Sequence, residues 1–260
     1  MNSSALLALQ CMDLTSLQTS DTPTDIARLC EGANSPFGNP AALCVYPELV
    51  ATARQRLDEL ELQHVHVATV INFPSGDDSI ESVVAATERS LAVGAAEIDL
   101  VMPYRRWQSG DNRHCEAMLS MIRSVTLNKA RLKVIIESGE LAASNLIRSA
   151  SELVIETGAD FIKTSTGKVP INATLEAAHV ILDTISKSGR TIGFKAAGGI
   201  RTVADAEDYF RLAATIMGDS WVTPTHFRIG ASSLLQDVIK VLGGDTCMSD
   251  SPADTKKGCY

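Results

Sequence analysis

Two lysines stand where lysine is seldom found. Lys163 lies inside the apolar run Ala159-Asp-Phe-Ile-Lys-Thr-Ser-Thr-Gly167, and Lys195 inside Ile192-Gly-Phe-Lys-Ala-Ala-Gly-Gly199. An ammonium held in an apolar wall loses solvation, so its pKa falls toward the neutral amine, which is a nucleophile toward carbonyls. An unperturbed lysine, with pKa about 10.4, is neutral only about once in a few thousand molecules at pH 7. Lowering that pKa to about 7 gives roughly a thousandfold more nucleophile. The plain alternative is that each lysine sits at a strand end with its ammonium in water. Two such lysines in consecutive strand units, each leading into a glycine-containing turn, favour the chemical reading. Lys195, if it stays protonated beside Lys163, supplies a like charge that disfavours the second ammonium.

The elements that must position them follow from the apolar pattern. β-Branched runs occur at Leu9–Leu14, Ala41–Tyr46, Val65–Phe73, Glu97–Met102, Leu132–Glu137, Phe161–Thr164, Ile192–Ala196 and His226–Ile229. Between them lie helix-period segments, several ending in a candidate capping glycine: Gly94, Gly158, Gly189 and Gly218. Strict alternation of strand and helix implies a parallel sheet, and eight such units in this length imply an α/β fold of the closed (β/α)8, or TIM, barrel type. The later runs look continuous rather than alternating, as expected of strands covered on both faces. The layout predicts one catalytic domain over residues 1–243. The polar, proline-containing stretch 244–260 is expected to be a flexible tail.

An internal echo adds a carboxylate. Gly94-Ala-Ala-Glu-Ile-Asp99 and Gly158-Ala-Asp-Phe-Ile-Lys163 share glycine, alanine and isoleucine in one register. Asp99 and Lys163 should therefore lie at similar depth on strands two apart, as a proton relay or as a structural ion pair. Asp99 could equally hold Lys195 in place. Barrels often bind phosphate with the loops after strands seven and eight. Here those loops are Ala197-Gly-Gly-Ile-Arg201, containing Gly198, Gly199 and Ile200, and Gly230-Ala-Ser-Ser233, containing Ser232 and Ser233. Glycine lets amides approach the anion, the hydroxyls donate to it, and a helix starting near Ser232 adds its positive end. Thr166, Gly167 and Lys168 form a third side with a cation. A phosphate clamp beside paired lysines predicts a phosphorylated carbonyl substrate.

Composition narrows the partners. The net charge is -8 over 260 residues, which argues against nucleic acid and anionic membranes. Mean hydropathy is +0.07, and no apolar run reaches bilayer length. Six scattered cysteines without a CxxC pair or signal peptide point to reduced thiols in the cytoplasm. The five histidines show no ligand spacing, so no metal is expected. Cys44, at a strand end, could be a reactive thiol or a buried inert one.

The motifs FIKTSTGK (Phe161 to Lys168), GFKAAGGIR (Gly193 to Arg201), EIDLVMPY (Glu97 to Tyr104), KVIIESGEL (Lys133 to Leu141), ATVINFPSG (Ala68 to Gly76) and FRIGASSLL (Phe227 to Leu235) closely resemble those of the deoxyribose-phosphate aldolase family. The resemblance runs from MDLTSL (Met12 to Leu17) to the terminal tyrosine. It implies Lys163 as the Schiff-base lysine, Lys195 as the lysine that tunes it, Asp99 as the relay acid, a strand-two cysteine at Cys44, and Tyr260 as the functional terminal tyrosine of the enterobacterial type. It further implies reversible cleavage of 2-deoxy-D-ribose 5-phosphate to D-glyceraldehyde 3-phosphate and acetaldehyde, a place in deoxyribonucleotide catabolism, no cofactor, and a homodimer. A transaldolase-like enzyme with the same lysine chemistry on another phosphorylated aldose is the alternative. Two positions depart from the pattern: Ala196 replaces the common proline after the second lysine, and Ser138 makes ESGE of the usual ETGE.

Overall fold

The computed structural model describes residues 2–243. Eight strands, β1 (Met12–Thr15), β2 (Ala42–Val45), β3 (His66–Ile71), β4 (Glu97–Val101), β5 (Arg131–Ile135), β6 (Phe161–Lys163), β7 (Gly193–Ala197) and β8 (Phe227–Ala231), pair in chain order into a closed parallel barrel. Each expected run overlaps its strand, with one correction. Leu9 and Gln10 end an N-terminal helix, Asn2–Gln10, rather than opening β1. That helix is apolar through Ala5, Ala8 and Leu9, which are buried, so its residues read as strand by hydropathy alone.

Helices follow the strands and are punctuated locally. Thr22 and Thr202 cap the helices Pro23–Ala33 and Val203–Met217 through reciprocal bonds with Asp25 and Asp205, satisfying amides that the first turn leaves unpaired. Gly189 ends Leu175–Ser188 in the left-handed conformation. The hydrophobic core lies outside the barrel wall, where Leu43, Val67, Ile98, Leu100, Val134, Ile162, Phe194 and Ile229 meet the surrounding helices.

The strands do alternate, contrary to the expectation of continuous hydrophobic runs. Met12-Asp13-Leu14, Ile98-Asp99-Leu100, Leu132-Lys133-Val134, Phe194-Lys195-Ala196 and Phe227-Arg228-Ile229 place apolar residues outward and charges inward. Inner positions of an eight-stranded barrel are normally branched hydrocarbons stacked in layers from alternate strands. Here the register, with the strand tilt of such a barrel, stacks Ala42, Glu97, Phe161 and Arg228 lowest, then Asp13, Ala68, Lys133 and Lys195, then Cys44, Asp99, Lys163 and Gly230. The long cations of β5 to β8 extend across space left by the small residues of β2 and β3, where Leu17, Ala42, Cys44, Ala68 and Val70 form a separate apolar cluster.

Candidate active site

The stagger of the strands explains the echo seen in the sequence. Asp99 pairs with Lys133, and Lys133 with Phe161, two residues before Lys163. Two strands of tilt offset those two residues, so Asp99 and Lys163 share a layer, and their Oδ2 and Nζ atoms are 2.7 Å apart. Lys195 Nζ donates to the same oxygen at 2.7 Å and to Asp13 Oδ2 at 2.5 Å. Lys133 Nζ bridges Asp13 and Asp99, both at 3.0 Å, and reaches Glu97 Oε2 at 2.5 Å. Arg228 pairs with Asp13 Oδ1 at 2.6 Å and Glu97 Oε1 at 3.0 Å, its guanidinium 5.7 Å from the centre of the Phe161 ring.

All seven charged groups are buried. Burial favours their neutral forms, so each protonation state is decided by its neighbours. Burial alone would raise Asp99, but the Lys133, Lys163 and Lys195 ammonium groups hold its carboxyl well below the usual range. Burial would lower Lys195, and Asp13 and Asp99 outweigh it, keeping the ammonium charged. Lys163 goes the other way. Burial pushes its pKa down, Asp99 alone among the carboxylates resists strongly, and the Lys195 charge adds to the fall. The larger downward cause is thus desolvation and the second is Lys195, the two causes the sequence suggests. Of the two lysines, Lys163 is the one whose ammonium is disfavoured and Lys195 the one whose ammonium is held.

Above the network lies a cavity of about 210 Å³ with Lys163 in its lining. Its walls include Thr166, Gly167, Lys168, Gly198, Gly199, Ile200, Gly230, Ser232 and Ser233, joined by Thr15 at the end of β1 and Leu17 and Gln18 from the loop after it. Gly198 and Gly199 have φ of 88° and 90°, a region side chains disfavour, and a Cβ on Gly198 would also sit 2.6 Å from Asn172. The following helix is Leu234–Gly243, which starts directly after Ser232 and Ser233 of the cavity wall. Lys168 Nζ donates to the Leu17 carbonyl at 2.6 Å, linking the loops after β6 and β1.

Of the two readings of Cys44, the geometry fits the buried one, not a place in the substrate site: it shares the layer of Lys163 but does not line the cavity, and burial is complete and pushes its thiol upward. Asp99, in the layer of Lys163, and Lys195, in the layer below, are absent from the cavity wall. Tyr260 falls outside the described residues. Four charged groups of the network went unread in the sequence: Asp13, Glu97, Lys133 and Arg228. Their signal was present as single charges at every second position of apolar runs. A further group, Glu137, stands at the end of β5 with φ of 52°. Its carboxylate accepts from the amide of Thr166 and, at 2.6 Å, from the Thr166 hydroxyl, fixing the loop that carries Lys168.

Among the described residues no cluster of three or more metal-ligating side chains occurs, and no helix is long and apolar enough to cross a membrane.

A parallel barrel with a desolvated amine in the lining of a glycine- and serine-walled cavity at its mouth has the architecture of a lysine-dependent aldolase. Residues 7–239 match the DeoC/LacD family aldolase, and the chain belongs to that family. It is 50% identical over 240 residues to the deoxyribose-phosphate aldolase of Agrobacterium fabrum, covering 92% of each chain. Among solved structures, QR15, an aldolase, is 27% identical with a TM-score of 0.77, over 93% of this chain and 99% of that one. The deoxyribose phosphate aldolase of Aeropyrum pernix, described as a unique tetramer, shares the fold at 24% identity and a TM-score of 0.74, over 94% of both chains.

Proposed function

We propose that the protein cleaves 2-deoxy-D-ribose 5-phosphate reversibly to D-glyceraldehyde 3-phosphate and acetaldehyde through an imine on Lys163. The supporting observation is that Lys163 alone of the barrel lysines lines the cavity while Lys195 shares its Asp99 oxygen from below. The neutral amine adds to the open-chain aldehyde carbon, giving a carbinolamine. Its hydroxyl departs as water with a proton that the Lys195 ammonium passes through Asp99, leaving an iminium. Loss of the C3 hydroxyl proton then breaks the C2–C3 bond. The bonding electrons flow into the iminium, releasing glyceraldehyde 3-phosphate and leaving an enamine. Protonation at C2 and hydrolysis free acetaldehyde and restore the amine. The protonated imine is itself the electron sink, so the chemistry needs no organic cofactor.

The phosphate rests against Gly199, Gly230, Ser232 and Ser233 at the start of the helix Leu234–Gly243. A carboxylate placed there opposes a dianion far more than a hydroxyl. Ser233→Asp is expected to raise KM for the 5-phosphate about a hundredfold, with little change for unphosphorylated deoxyribose. Equal losses on both substrates would instead indicate damage to the barrel.

Tyr260 is assigned to the proton transfer at C2. Tyr260→Phe should depress turnover and acetaldehyde proton exchange strongly while imine trapping at Lys163 survives, and unchanged turnover would remove the residue from the mechanism. A cytoplasmic location and a homodimer complete the reading. The former is supported by the four described cysteines, all unpaired thiols. Release of glyceraldehyde 3-phosphate from deoxyribose 5-phosphate, followed by a coupled assay, tests the whole; no release would overturn it.

A further inference from the structure

The barrel interior has an odd charge. Three carboxylates, Asp13, Glu97 and Asp99, face three cations other than Lys163, namely Lys133, Lys195 and Arg228, and all six are buried. The set is neutral when Lys163 is an amine and carries one excess positive charge when it is an ammonium. Two of the six, Glu97 and Arg228, lie in the lowest layer, farthest from the cavity, and touch each other at 3.0 and 3.2 Å. Neither touches Lys163. Their connection to it runs through Lys133, which bonds Glu97 and Asp99, and through Asp13, which bonds Arg228 and Lys195.

We propose that Glu97 and Arg228 are positioning residues for the amine: as a matched pair they fix the charge count of the core, so that Lys163 remains the one group whose proton is unbalanced. This inference rests on the aldolase reading for its meaning, not for its test. In a desolvated network the charges do not screen one another through water, so a charge one layer down still acts on the top layer. The groups facing Lys163 are otherwise constant. They are Asp13 from β1, the Cys44 thiol from β2, Asp99 from β4, Lys133 from β5 with Glu137 beyond its end, and Lys195 from β7. β3 contributes only Ala68 to the layers. His66, at its start, lies toward Glu97, as does Arg131, which pairs with Glu97 at 3.2 Å but is 38% exposed and so screened by water.

Deleting one charge should therefore move Lys163 by sign. Glu97→Gln removes a negative charge, disfavours the ammonium, and should shift the acid limb of kcat/KM downward by about one pH unit. Arg228→Met removes a positive charge and should shift it upward by a similar amount. The double variant Glu97→Gln/Arg228→Met restores the count, and its limb should return close to that of the parent. A purely structural role predicts no such reversal of sign. The same ordering should appear in the pH dependence of Lys163 carbamylation by cyanate, read by peptide mass spectrometry, which requires no catalysis. If Arg228→Met fails to fold because Glu97 and Asp13 lose their partner, Glu97→Gln and the double variant still differ by a single charge and carry the test. Single variants that shift in the same direction, or a folded Glu97→Gln protein with unmoved cyanate and kcat/KM profiles, would overturn the proposal. Parent protein that shows the cyanate ordering across the series yet cleaves no deoxyribose 5-phosphate would overturn the aldolase reading and leave this inference standing.

Discussion

Lys163→Met is expected to fold, to give no borohydride-trapped adduct with acetaldehyde, and to lose turnover by on the order of 10^5-fold. The size follows from the lack of a substitute: Lys133 and Lys195 are fully buried and each is held by two or more carboxylates, so neither can offer a free electron pair. The fold should tolerate the change because methionine nearly matches the lysine stem in volume and the charges left behind are balanced. Asp99 keeps Lys133 and Lys195 as partners. Mass mapping of the trapped parent protein should place the adduct on the Lys163 peptide. Labelling of the Lys195 peptide would reverse the assigned roles.

Lys195→Met should produce a different loss, one that depends on pH. Removing that ammonium takes away a like charge beside Lys163 and leaves Asp99 short of a cation, and both changes favour the protonated form of Lys163. The pKa of Lys163 therefore climbs toward the ordinary lysine range. At pH 7 activity and imine trapping should fall on the order of 10^3-fold, and the deficit should shrink about tenfold for each pH unit toward the new pKa. The acid limb of the profile moves up, never down. A deficit that stays constant from neutral to alkaline pH would mean that Lys195 acts only as a proton donor and not on the basicity of its neighbour.

Much of this arrangement was legible in the chain. Lys163, Lys195 and Asp99 were conspicuous because each interrupts an apolar run, and the paired glycine loops after β7 and β8, marked by type and position, do line the cavity. The unread half of the network shows the limit of that signal. Asp13 and Lys133 sit in runs as apolar as that of Lys163, yet no glycine turn follows them and nothing local marks which face they occupy. Only the closed register turns them inward together. Glu137 was hidden for another reason: its left-handed backbone and its grip on Thr166 join residues far apart in sequence, which no periodicity reports. Cys44 stayed open in the sequence because a strand end in a barrel can face the mouth or the packed interior, and burial places it in the packed layer.

A barrel filled with ions instead of hydrocarbon also behaves differently toward temperature. The heat capacity change on unfolding rises with apolar surface exposed and falls with polar surface exposed. Seven charged side chains at the centre of this fold replace residues that would normally add to it. The penalty for keeping such ions from water diminishes on warming, while the benefit from apolar burial levels off. The interior that makes one amine reactive thus flattens the stability curve and weights it toward the warm side, where its outer hydrocarbon layer alone would have placed the optimum lower.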